Sequence, residues 1–205
     1  YRGMSVEYIK FLAPGLIAIS VMYGAFFECT YSSFVRMYYQ KTFDAIMATP
    51  LSLEDIIAGE ILWGATKSFI NATIVLAVVA VLGYAELPLL LIIPAIAFLG
   101  GLMFASLAML FTALVPNMDS FNYPFFLFIT PMFLFSGTFF PLSVLPVWGQ
   151  QLALALPLTH ISNMVRDLSY SMATMDVALG FVYLAALTAL CFLASVFLMK
   201  RRLVK

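Results

Sequence analysis

Two residues of this chain have the type and setting to do chemistry in or beside a membrane: Glu28, inside an apolar run, and His160, the only histidine. A carboxylate in hydrocarbon costs at least a few kcal/mol unless it is paired, hydrated or protonated. Glu28 therefore either sits at a membrane boundary, accepting hydrogen bonds from hydroxyls such as Thr30 or Ser32, or lines a polar route for a substrate. His160 lies in LPLTH (156–160), with Arg166 and Asp167 a turn or two further on. Without Cys, Asp or Glu at ligand spacing it makes a poor metal site. Pairing it with Ser136 or Asp167 would suggest a hydrolase, but no nucleophile elbow or triad framework surrounds them. Gating or hydrogen bonding of irregular backbone at an outer mouth is the use left to it. Cys29 and Cys191 stand in apolar runs with no paired spacing and read as packing residues.

These groups must be positioned by a membrane domain. Of the 205 residues 64% are hydrophobic and 10% charged, against roughly 45–50% and about 25% in globular proteins. The mean hydropathy is +1.05. A net charge of zero leaves no basic surface for nucleic acid. A bilayer crossing needs about 20 apolar residues in a helix, because unpaired backbone groups in hydrocarbon are costly. Stretches at 11–31, 62–82, 89–115, 123–140 and 177–199 qualify. The expected fold class is all-α: a polytopic helical membrane protein, with five spans in a single transmembrane domain over 1–205.

Charge sets the orientation. With Lys200, Arg201, Arg202 and Lys205 in the cytoplasm, Arg36, Lys41 and Lys67 join them, leaving Arg2, Lys10 and Arg166 outside. That is the asymmetry the positive-inside rule favours. The amino terminus then lies outside, and the first residue is not Met; a preceding cytoplasmic segment and one earlier span, six in all, are expected.

Seven of the twenty Asp, Glu, Lys and Arg residues lie between Arg36 and Lys67. There Phe43, Ile46 and Met47 form an apolar stripe at i, i+3 and i+4, with Lys41 and Asp44 pointing elsewhere. This amphipathic helix should stop near Thr49, since Pro50 disfavours helical geometry in the residue before it. Ser52 offers an N-cap, Asp55 completes an S-x-x-D box, and Glu54 and Asp55 suit the positive end of the helix dipole. The predicted result is helix, Thr49–Pro50–Leu51 corner, helix, with Trp63 as an interfacial anchor. From the residues alone it is either a docking surface joined to a membrane helix or an ordinary loop with an interfacial helix. On the third span Ala97, Gly101 and Ala105 form a small-residue face that lets another helix approach. The spacing leaves open whether that helix belongs to the same bundle or to a second copy.

The motif ATPLS (48–52) followed by an acidic helix start resembles the coupling-helix region of type-2 ATP-binding-cassette (ABC) exporter permeases. FLFSGTFFPLSVLP (133–146) and LPLTH resemble that family's fifth span and external re-entrant turn. FECTY (27–31), FVRMYYQKTFDA (34–45), GEILWGATK (59–67) and DSFNY (119–123) are similar to the permeases that export lipo-oligosaccharide nodulation factors. The resemblance covers nearly the whole chain. It implies a permease of the bacterial cytoplasmic (inner) membrane, working as a homodimer with a separate cytoplasmic ABC ATPase and moving an amphipathic lipid- or glycan-type substrate outward. It also implies coupling through Thr49, Pro50, Leu51, Ser52, Glu54 and Asp55. No G-x-x-x-x-G-K-[ST] occurs in the chain, so ATP-Mg is expected on the partner and no cofactor on this polypeptide. The competing expectation is a membrane scaffold that docks a cytoplasmic protein without transport.

Overall fold

The computed structural model describes residues 2–83, 92–169 and 175–203, and the regular elements among them are all helical. Four helices among the described residues are long and apolar enough to cross a bilayer: Tyr8–Tyr39, Leu53–Val81, Ile92–Leu114 and Val177–Leu203. The first comprises most of α1 (Arg2–Phe27) and its continuation through two π-helical segments, Glu28–Ser32 and Val35–Tyr39. Then follow α2 (Thr42–Met47), α3 (Leu53–Val81) and α4 (Ile92–Leu114). The last span lies in α9 (Met175–Leu203). Residues 84–91, which include the link between the expected spans at 62–82 and 89–115, fall outside the described residues.

The stretch at 123–140 corrects the expectation of a fifth such helix. It begins as α5 (Asn122–Pro124), passes through a π-helical segment (Phe125–Ile129) and ends as α6 (Thr130–Phe135). At 1.5 Å per residue this is about 21 Å, short of the ~30 Å hydrocarbon core. The chain leaves the helix at Ser136 and turns at Gly137, whose φ of +70° strongly favours glycine. After a 3-10 turn, α7 (Val147–Leu154) and α8 (Pro157–Ser169) follow, joined by a short turn. The irregular backbone at 136–145 is carried on protein: Ser136 Oγ and Thr138 Oγ1 pair at 2.7 Å, and Arg166 Nη2 donates to the Gly137 carbonyl at 3.0 Å. Thr138 lies so close to Gly15 of α1 that a Cβ there would sit 2.4 Å from its methyl group.

The core is organised around α4, whose neighbours include α1, α3, α8 and α9. Its most apolar window is 61% buried against 17% for α9, so α4 is central and α9 peripheral. The small-residue face meets α3 of its own bundle: Gly101 lies against Ser68 and Ala65, and Ala105 against Gly64. Ala97 is buried on the same helix. On another face of α4, Gly100 accommodates Ile161 of α8 and Val21 of α1.

Candidate functional site

The charged insert folds onto the membrane helices instead of extending from them. After the second π-helical segment the chain turns at Lys41, held in the left-handed region at φ 52°. α2 then buries Phe43 completely and half-buries Ile46 and Met47, while Lys41 and Asp44 face solvent. Thr49 Oγ1 closes the helix on the Ile46 carbonyl at 2.6 Å. Across the corner the Ser52 capping box is complete: the Asp55 amide donates to Ser52 Oγ at 3.2 Å, and the Ser52 amide to Asp55 Oδ2 at 2.8 Å. Leu53, Ile56 and Ile57 plug α3 into the core directly below it. Thr49, Pro50, Leu51 and Ser52 are all exposed, Leu51 by 54%.

Behind the corner lies a charge cluster that motif spacing did not reveal. Glu28, 4% exposed, receives Lys67 Nζ at 2.6 Å, Arg36 Nη1 at 2.9 Å and the Trp63 indole N–H at 3.0 Å. Arg36 also grips Glu60 through two nitrogens, at 2.8 and 2.5 Å, and Ser33 Oγ donates to the same carboxylate. Thr30 and Ser32 are not the partners expected of Glu28; the Thr30 hydroxyl is spent on the Phe26 carbonyl. Glu28 is thus held by cations of both helices, in a two-acid, two-base network joining the end of the first span to α3. Glu60, Trp63 and Lys67 share one face of α3 at i, i+3 and i+7. On the first span, residues 28 and 36 of an ordinary α-helix would point about 80° apart. The π-helical turn absorbs roughly one extra residue, which brings them to about 20°. That inserted residue is the signal that sequence periodicity could not carry.

The basic end of α9 fastens the same side of the bundle. Lys200 pairs with Glu54 in the first turn of α3. Arg202 Nη1 donates to the Thr112 and Val115 carbonyls at the end of α4, at 2.6 and 2.7 Å, and its guanidinium lies over the Phe34 and Tyr38 rings. Thr112 in turn donates to the Cys29 carbonyl at 2.6 Å. Arg202→Ala should therefore lower stability by about 2 kcal/mol, the scale of hydrogen bonds to a charged donor, with Arg202→Lys recovering part of it. Thermal unfolding of the purified variants in one detergent measures both.

His160 is on the opposite side of the bundle, bonded through Nε2 to the Leu154 carbonyl at 2.8 Å and packed on Tyr183 with ring centroids 4.2 Å apart. The Tyr183 hydroxyl donates to the Ala155 carbonyl at 2.7 Å, so the two rings together hold the turn between α7 and α8. Among the described residues no hydrogen bond links His160 to Ser136, and no cluster of His, Cys, Asp and Glu could hold a metal ion.

Comparison with known proteins accords with this architecture. Nodulation protein J of Rhizobium leguminosarum bv. viciae is 42% identical over 205 residues, all of this chain and 79% of that protein. The protein of the same name from Bradyrhizobium diazoefficiens is 41% identical, again over the whole chain and 78% of its own length. No solved structure matches the chain. The model of the ABC-2 type transporter family matches residues 2–170. The chain belongs to the ABC-2 type transporter family: it is a membrane permease subunit of an ABC exporter, a transport component and not an enzyme.

Proposed function

We propose that the exposed Thr49–Pro50–Leu51 corner is where a cytoplasmic ABC ATPase docks, and that its movement drives outward passage of an amphipathic lipid- or glycan-type substrate. The observation that carries this reading is the contrast at the corner. Its tip is solvent-exposed, while its flanks are locked by the Ser52–Asp55 box and the buried Leu53, Ile56 and Ile57. A tip that is free on one side and rigidly continuous with a membrane helix on the other transmits displacement instead of absorbing it. The α3 helix passes that displacement to the π-helical end of the first span through Glu60 and Lys67, and to α9 through Glu54. ATP-Mg is bound by the partner, and rocking of these helices opens a path by alternating access. Two permease copies form the working unit in the bacterial inner membrane, with the basic end of α9 on the cytoplasmic side. The orientation rests on the positive-inside asymmetry. The cargo class rests on the motifs shared with lipo-oligosaccharide export permeases and on the 42% identity to Nodulation protein J.

Leu51→Asp provides the test, because an exposed side chain can be changed with little effect on the fold. Co-expressed with the cognate ATPase and reconstituted, the variant should show permease-stimulated ATP turnover reduced about tenfold, which corresponds to about 1.4 kcal/mol of lost coupling. Unchanged turnover and unchanged assembly would remove the corner from the interface. Assembly with the ATPase but no transport of any amphipathic cargo, even in the unaltered complex, would favour the scaffold.

A further inference from the structure

The charge network has a second face, on the outer surface of the helix bundle. Between α1 and α3 runs an open groove of about 600 Å³ whose lining includes Glu28, Lys67, Asn71, Ser20, Tyr23 and Phe27. Its floor is zwitterionic on paper but not at its surface. The acids are withdrawn, Glu28 being 4% and Glu60 13% exposed, while Arg36 is 25% and Lys67 45% exposed. What a molecule in the groove meets is the Lys67 ammonium, with the Glu28 carboxylate behind it. Lys67 gives one of its three donors to Glu28 and has further donors to offer.

One turn deeper on the same face of α3 stands Asn71, exposed and without a hydrogen-bond partner among the described residues. An unpaired carboxamide on an apolar span is costly unless it faces a polar occupant or water. The groove is shaped around it: a Cβ on Gly24 of α1 would lie 2.8 Å from Asn71 Nδ2. Beyond Asn71 along α3 the wall is apolar, with Ile74 and Val75, while Phe27 lines the groove beside Glu28. An exposed cation at the end nearest the α2–α3 corner, a hydrogen-bonding group one turn further in, and apolar walls beyond together match a lipid that enters headgroup first.

We propose that this groove is a binding site for an anionic phospholipid of the leaflet on the side of the α2–α3 corner. Its phosphate is held by Lys67, its glycerol or ester oxygens by Asn71, and an acyl chain lies along Ile74 and Val75. Basic pockets between membrane helices are where anionic headgroups bind. The proposal does not rest on the coupling mechanism proposed above, although Lys67 takes part in both.

Trp63, which packs beside Lys67 and is 48% exposed, reports on it directly. Trp148→Phe leaves Trp63 as the single tryptophan of these 205 residues. In phosphatidylcholine nanodiscs containing a minor fraction of acyl-brominated phosphatidylglycerol, Trp63 should be quenched as though that lipid were enriched about fivefold, the effect of one interfacial basic residue. Brominated phosphatidylcholine at the same fraction should show no enrichment. Lys67→Gln should return the quenching to the bulk value. Asn71→Leu, which removes no hydrogen bond within the described residues, should reduce the enrichment while leaving the unfolding midpoint unchanged. Equal quenching by the two lipids would overturn the site, as would a phosphatidylglycerol preference that survives both substitutions, since that preference would then belong to other basic residues. Quenching below the bulk value for both lipids would mean that protein fills the groove, and would overturn it equally.

Discussion

Glu28→Ala is expected to destabilise the protein by about 3–5 kcal/mol, the range for removing one partner of a buried ion pair. The size of the effect follows from what is left behind. Glu28 meets Arg36 and Lys67 while only 4% exposed, and its loss also frees the indole N–H of Trp63. Arg36 keeps Glu60, but its Nη1 loses its carboxylate partner at the helix junction. Lys67, 45% exposed, turns outward at small cost. Glu54→Ala is the matching control: its pair with Lys200 is 51% exposed on both sides and is worth about 1 kcal/mol or less. Thermal unfolding in one detergent should rank Glu28→Ala far below Glu54→Ala. Equal midpoints would show that the network contributes no more than a surface pair. Glu28→Gln should fall between them, keeping an acceptor for Trp63 while losing the charge that holds two cations.

Gly101→Leu should disrupt the α3–α4 contact at a cost of about 3 kcal/mol or more, at or above the upper end for overpacking. Even a Cβ at this position would lie 2.8 Å from Ser68 Cβ and 3.0 Å from Ala65 Cα, and those atoms belong to the helix wall and cannot swing aside. Because Ser68 also donates to the Val21 carbonyl at 2.9 Å, displacing α3 strains its contact with α1 as well. The expected result is a loss of monodisperse protein on size exclusion and a lowered unfolding midpoint. Gly59→Leu supplies the contrast within the same pair of helices, since nothing lies within 4 Å of a Cβ there. Comparable loss in both variants would mean that the helices do not meet at Gly101.

Local chemistry made some of this legible in the sequence and longer-range geometry hid the rest. The α2–corner–α3 unit could be read because its signals are short-range. Pro50 ends one helix, Ser52 and Asp55 begin the next within four residues, and the 43/46/47 stripe fixes the buried face. The 123–140 stretch misled because hydropathy averages over a window. Its apolar residues are as frequent as in a span, but Gly137 turns the chain, and the Ser136–Thr138 hydrogen bond and the Arg166 bond to the Gly137 carbonyl support the break. The partners of Glu28 were hidden for a different reason. Glu60, Trp63 and Lys67 could be placed on one face of α3 by counting, yet their meeting with Arg36 depends on a π-helical turn that no residue pattern in Glu28–Ser32 announces. His160 was placed near irregular backbone by elimination, but its stacking on Tyr183 joins residues of two helices and could not be counted out.

The attachment of Arg202 to the end of α4 also sets an order for assembly. The Val115 carbonyl precedes the guanidinium that satisfies it by 87 residues. At a synthesis rate of about 5–20 residues per second that interval is roughly 4–17 s. Throughout it α4 has already left the ribosome with its terminal carbonyls awaiting a donor, and the first turn of α3 awaits Lys200. The side of the bundle that carries the α2–α3 corner is therefore completed only once α9 has been made. A nascent permease stalled before α9 would present a corner whose flanking helices are not yet fastened together, and would be open to recognition by quality-control proteases before it could form a working transporter.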